Sequence, residues 1–136
     1  MSVKTFVLTV ITPERRVFQD AVNMVIVRTV DGEMGVLQGH IPLIAPLAIG
    51  PMRIKIGDDE RKAAINGGFI EVTAQHVIVL SESAEMAEEI DVARAEAARQ
   101  RAMGRLEKKQ AEIDYARAQS ALQRAIVRLK VAGHEG

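Results

Sequence analysis

Between residues 84 and 91 the chain gives up one periodicity for another, and this single change limits the fold most strongly. Before it, short apolar runs are broken by Gly, Pro and Asp: "TFVLTVIT" (5–12), "RRVF" (15–18), "VNMVIVRT" (22–29), "MRIKI" (52–56), "KAAI" (62–65), "FIEVT" (69–73) and "VIVL" (77–80). Val and Ile suit a pleated surface, so each run reads as a strand. "GDDE" (57–60) and "NGG" (66–68) read as turns. "DGEMGVLQGH" (31–40), with three glycines, reads as a tight irregular connection. Many short strands with no helix between them predict an antiparallel sandwich or flattened barrel.

From Asp91 onward, Ala, Glu, Arg, Gln and Leu dominate, no Pro occurs, and Gly appears only at 104, 133 and 136. These are helix formers. Asp91 is a suitable N-cap, since its carboxylate can accept an orphan backbone N–H. The segment also repeats itself. "IDVARAEAARQRAMGRL" (90–106) and "IDYARAQSALQRAIVRL" (113–129) agree at 11 of 17 positions. Ala95, Ala98, Ala102 and Leu106 form one apolar stripe; Tyr115, Ala118, Leu122, Ala125, Leu129 and Ala132 form another. Two equal stripes separated by polar "EKKQAE" (107–112) predict an antiparallel helical hairpin. The expected organisation is therefore α+β: a β-sandwich over 1–84 and a two-helix hairpin over 85–136. Alanines let helices approach closely but bury little area, at roughly 25 cal/mol per Å². Such a hairpin is weakly held and suits a switch.

The repeat carries arginines as well. Arg94, Arg101 and Arg105 line the first helix, and Arg117, Arg124 and Arg128 line the second, each set at spacings suited to one stripe. Two readings stand side by side. They are solvent-facing side chains lying along the helix, or a clamp for phosphate or an acidic partner. Net charge is zero overall, but residues 1–90 carry a balance of −4 and residues 91–136 a balance of +4. That asymmetry suits an acidic partner or a phosphate, but from charge alone a solvated helix surface is the better reading.

At 136 residues the chain suffices for one modest core and an appendage. Aromatics are only 3%, so the core must be aliphatic. With no cysteine, disulfides and thiolate metal sites are excluded. No apolar run approaches the ~20 residues of a membrane span, and the start lacks a signal-peptide pattern. No phosphate-loop, dinucleotide, zinc-protease or nucleophile-elbow motif occurs. His40, His76 and His134 are far apart and have no partner at metal-ligand spacing. Asp58–Asp59 sits in a turn and Glu88–Glu89 precedes a helix, where acids are favoured for local reasons. No catalytic residue and no metal site is expected.

Several stretches together resemble the epsilon subunit of bacterial F-type ATP synthases: "GEMGVLQGHIPL" (32–43), "PLAIGPMRI" (46–54), "NGGFIEV" (66–72), and Ile-Asp-x-x-Arg-Ala at Ile90, Asp91, Arg94 and Ala95. The resemblance covers residues 1–133, with one departure: Gln38-Gly39-His40 stands where the family usually has Pro-Gly-His. It implies a non-catalytic subunit of the central rotor stalk, peripheral to the cell membrane on its cytoplasmic side. The sandwich would dock on the gamma subunit and the c ring, with Glu33 and His40 in the facing loop region. The hairpin would lie folded on the sandwich or extend along gamma into the alpha–beta head and block ATP hydrolysis. There Arg117, Arg124 and Arg128 would face an acidic loop of beta. In some members the folded hairpin binds ATP, which here would involve Glu85, Asp91, Arg94, Ala95, Arg124 and Arg128; whether Mg²⁺ takes part is left open. No nucleic-acid partner is expected. The competing reading is a free-standing adenine-nucleotide sensor.

Overall fold

The computed structural model describes residues 4–108 and 112–134. Eight strands come first: β1 (Phe6–Ile11), β2 (Arg16–Val22), β3 (Met24–Thr29), β4 (Gly32–Leu37), β5 (Leu43–Ile56), β6 (Asp59–Val72), β7 (His76–Leu80) and β8 (Ala84–Met86). A 3-10 turn (87–89) leads to helices α1 (Val92–Glu107) and α2 (Glu112–Val131). The bend expected over 107–112 falls partly outside the described residues.

The strands form one sheet in the order β2-β1-β7-β6-β5-β3-β4, with β8 added to β6. The β2 edge folds back far enough to touch β5 and β8. The sheet therefore curls over on itself and closes a single core, to which every strand contributes. The long strands β5 and β6 make this possible. They pair with each other along almost their whole length; β6 pairs with β7 over 69–72 and with β8 over 63–65, while β5 pairs with β3 at Leu47 and over 53–55. Alternation fills the interior: Phe6, Leu8 and Val10 from β1, Met52 and Ile54 from β5, Ile70 and Val72 from β6, and Val77 and Val79 from β7 are all buried.

Two local expectations need correction. "NGG" is not a turn but the middle of β6, where Gly67 and Gly68 take positive φ of 68° and 101°. A Cβ on Gly68 would stand 1.9 Å from the Leu80 carbonyl oxygen, so only glycine lets β6 pass β7 this closely. "DGEMGVLQGH" is mostly strand: β4 pairs with β3 from Met24↔Leu37 to Thr29↔Gly32. Its glycines hid a strand that sits at a sheet edge. The sheet also has one parallel pairing, β1 with β7, amid otherwise antiparallel neighbours. The "GDDE" hairpin is as expected, with Ile56 paired to Asp59 around Gly57 at φ +59°.

In the hairpin, Asp91 caps α1, its Oδ1 accepting the Arg94 backbone N–H at 3.1 Å. Ala95 and Ala102 of α1 and Ala118, Ala125 and Leu129 of α2 are buried, as the paired stripes require. α2 has a second buried face that the repeat did not reveal. Val127 and Val131 pack with Ala64 of β6, flanked by Ile49, Ala87 and Ile90. Thus α2 lies between α1 and the sandwich, and α1 makes its main contact with α2.

Candidate functional site

The junction between sandwich and hairpin is held from several sides. In the turn between β1 and β2, Thr12 N–H donates to the Arg15 carbonyl at 2.9 Å, and Thr12 Oγ1 accepts the Arg15 N–H at 3.3 Å. This fixes the base of the Arg15 side chain, whose Nη2 reaches Glu89 Oε2 at 2.9 Å and Oε1 at 3.1 Å. Glu89 Oε1 also accepts the Met86 N–H at 2.9 Å, which closes the 3-10 turn. That environment holds the Glu89 carboxyl below its ordinary range, through Arg15 first and the Met86 N–H second. It likewise raises Arg15, mainly through the same bond. On the other flank, Arg61 lies 5.3 Å from the centre of the Phe18 ring and reaches Glu88 Oε1 at 2.6 Å.

Beside this junction opens a cleft of about 430 Å³. Three parts of the chain form its walls. Thr12, Glu14 and Arg15 come from the β1–β2 turn; Ser83, Ala84, Glu85 and Glu89 from the end of the sheet; Asp91, Arg94, Ala95, Ala98 and Arg101 from α1. Arg128 of α2 completes it, with Nε 2.6 Å from Glu85 Oε1. Arg124 lines a shallower depression that shares Ser83, Glu85 and Arg128. The volume lies in the range of small-molecule pockets, ~300–1,000 Å³. Four arginines face four carboxylates there, and Ala95 and Ala98 leave space along one wall. Among the described residues, no group of three or more His, Asp or Glu side chains is placed to hold a metal ion.

The structure thus gathers Glu85, Asp91, Arg94, Ala95 and Arg128 into one cleft, with Arg124 next to it. Arg117 lies elsewhere, exposed on α2, as does Asp114. Thr12, Glu14 and Arg15 escaped sequence reasoning. They stand more than 70 residues from the motif, as the separation of 74 between Arg15 and Glu89 shows, and no periodic signal links the two.

His40 lies towards the opposite end of the sandwich. Gly39 N–H donates to the Ala74 carbonyl, and Val7 N–H donates to that of Gln75, so the loop after β4 sits near the start of β1. The cleft lies past the end of β1, a strand about 20 Å long at ~3.3 Å per residue. Glu33 is exposed on β4, and the His40 Nδ1 lies 2.8 Å from the Ile41 carbonyl oxygen. Leu37, Ile41 and Ile44, in the same region, are exposed aliphatics.

Residues 5–87 match the family model of the ATP synthase delta/epsilon chain beta-sandwich domain, and residues 88–133 match its long alpha-helix domain. The ATP synthase epsilon chain of Anoxybacillus flavithermus is 50% identical over 107 residues, 79% of this chain and 80% of the relative. That of Alkalihalophilus pseudofirmus is 49% identical over 102 residues, 75% and 77% of the two chains. Among solved structures, a chain of the Euglena gracilis mitochondrial ATP synthase, in an assembly of OSCP, F1 and c-ring, superposes with TM-score 0.82. Its sequence identity is 27%, over 98% of this chain and 84% of that one. A chain of the Tetrahymena thermophila ATP synthase central stalk and c-ring shares the fold at TM-score 0.61 and 13% identity, over 97% and 99% of the two chains.

Fold and cleft together define a small module, a β-sandwich with a helical arm docked over a ligand-sized cavity. The chain belongs to the ATP synthase delta/epsilon chain family, and within it to the epsilon chains of F-type ATP synthases.

Proposed function

We propose that this chain couples the rotor through its sandwich and restrains ATP hydrolysis through its hairpin, which ATP holds in the docked state. The sandwich surface carrying His40, Leu37, Ile41 and Ile44, together with Glu33 of β4, meets the gamma subunit and the c ring. Exposed aliphatics at one end of a small domain suit a protein interface better than water. Attachment at the cytoplasmic face of the cell membrane runs through these subunits; no helix among the described residues is long and apolar enough to cross a membrane.

One observation carries the ATP reading: the cleft joins Asp91, Arg94 and Ala95 of the first motif copy to Glu85 and Arg128 in a single cavity. The donor set fits a nucleotide polyphosphate. Guanidinium forks match phosphate oxygens in charge and geometry, and the small Ala95–Ala98 wall accommodates a flat base. Asp91 stays an acceptor, for the α1 backbone or for an exocyclic amino group. A ligand bound only in the docked state stabilises it by RT ln(1 + [L]/Kd), about 2.7 kcal/mol at 100-fold excess over Kd.

The same arginines explain why docking and inhibition exclude each other. Docked, Arg124 and Arg128 are half-buried at the sandwich, and only Arg117 of the α2 stripe is exposed. To face an acidic loop of the beta subunit, the stripe must leave the cleft. Replacement of the chain in assembled synthase by one ending at Ile90, which keeps β8 and the 3-10 turn intact, tests this. Hydrolysis rises while gamma stays bound; unchanged hydrolysis contradicts the restraining role.

A further inference from the structure

One wall of the cleft does not belong to the hairpin. Arg15 projects from the β1–β2 turn, and the bond of Thr12 to its backbone fixes where it starts. Its Nη2 bonds to Glu89, and a guanidinium has five N–H donors in a planar fork. The side chain is 46% exposed and lines the cavity. Across that cavity stand Arg94 and Arg101 of α1 and Arg128 of α2. Arg128 and Arg15 are each held by one glutamate, Glu85 and Glu89.

We infer that Arg15 is a ligand-binding residue of the cleft, through which the sandwich itself grips the phosphates of a bound nucleotide. This rests on the reading of the cleft as an ATP site. Glu89 and a phosphate group are alternative acceptors for the same fork, one supplied by the protein and one by the ligand. Binding transfers donors of Arg15 from carboxylate to phosphate, or shares them between the two. The consequence is mechanical. A nucleotide held by the hairpin alone would stabilise only the pairing of α1 with α2. One held also by Arg15 ties that pair to the sandwich, so nucleotide concentration acts on docking directly.

Calorimetric titration of the full-length chain with ATP, in wild type, Arg15→Gln and Glu89→Gln, tests it. Arg15→Gln binds about tenfold more weakly, the loss of one charge-assisted contact. Glu89→Gln keeps an acceptor for the Met86 N–H and frees the Arg15 fork, so it binds as tightly as wild type or more tightly. If Arg15 serves only to brace Glu89, both variants weaken alike, and the inference falls. Unchanged affinity in Arg15→Gln also overturns it while leaving the ATP cleft standing. Absence of ATP binding by the wild type removes the cleft reading and this inference with it. Thermal unfolding of each variant identifies a loss that comes from a damaged sandwich.

Discussion

The Arg128 Nε donates to Glu85 Oε1 at 2.6 Å and joins the last turn of α2 to β8 across 43 residues of chain. Each side chain keeps 31% exposure, so water screens the pair, and its contribution to docking is about 1 kcal/mol or less. Glu85→Gln retains an acceptor but removes the charge. Amide hydrogen exchange in α2 is expected to quicken by up to about fivefold, with β1, β6 and β7 unchanged. Equal protection of α2 in both proteins would mean that Val127 and Val131 alone hold the helix down.

Acid should loosen the junction through Glu89. Its folded pKa lies below its unfolded one, so its contribution is complete above the unfolded value, about 4.3, and is lost as pH falls through the folded value. Exchange at the Met86 and Ile90 amides followed from pH 6 downward should show an added step below about pH 4. In Glu89→Gln that step disappears. A step of equal size in both proteins would assign the effect to another carboxylate, such as Glu96, which Gln100 and then Arg99 also hold low.

Two glycines should respond oppositely to alanine. At Gly68, φ is +101° and the Leu80 carbonyl oxygen would lie 1.9 Å from the new Cβ, so the β6–β7 pairing must open. The expected cost is about 3 kcal/mol or more, among the larger effects of single substitutions. At Gly104, within α1, a Cβ meets nothing within 4 Å and φ is ordinary. Gly104→Ala gains about 1 kcal/mol in helix propensity. Urea midpoints of the sandwich and helix signals, followed separately, check both. A stable Gly68→Ala protein would contradict the close approach of β6 to β7.

The residues that sequence reading placed well are those whose partners repeat along the chain. The runs "TFVLTVIT" and "VIVL" read as strands, and Leu8, Val10, Val77 and Val79 within them are buried; the paired alanine stripes marked Ala95, Ala102, Ala118 and Ala125 as the hairpin seam. Glycine misled it. Gly67 and Gly68 look like a turn because positive φ is usual in turns, yet here it serves a close passage between strands. The site was half legible for a related reason. Asp91, Arg94 and Ala95 are neighbours on one helix and form a motif. Arg15 reaches the cleft only because the sheet curls and β8 returns beside β6, a fact of tertiary structure with no local trace. Val127 and Val131 were hidden likewise, since a face that meets the sandwich leaves no imprint on the first copy of the repeat.

The two copies of Ile-Asp-x-x-Arg-Ala give the most direct test, because only the first lines the cleft. Asp114 and Arg117 are exposed on α2, away from it. ATP titrated by calorimetry into the intact chain should bind, and Asp91→Ala or Arg94→Ala should weaken binding by roughly 1.5–3 kcal/mol, or about 10- to 150-fold. Asp114→Ala and Arg117→Ala should shift helix stability by about 1 kcal/mol or less and leave the affinity of wild type. Equal losses from both copies, or affinity that survives Asp91→Ala and Arg94→Ala unchanged, would contradict the assignment of the nucleotide to this cleft.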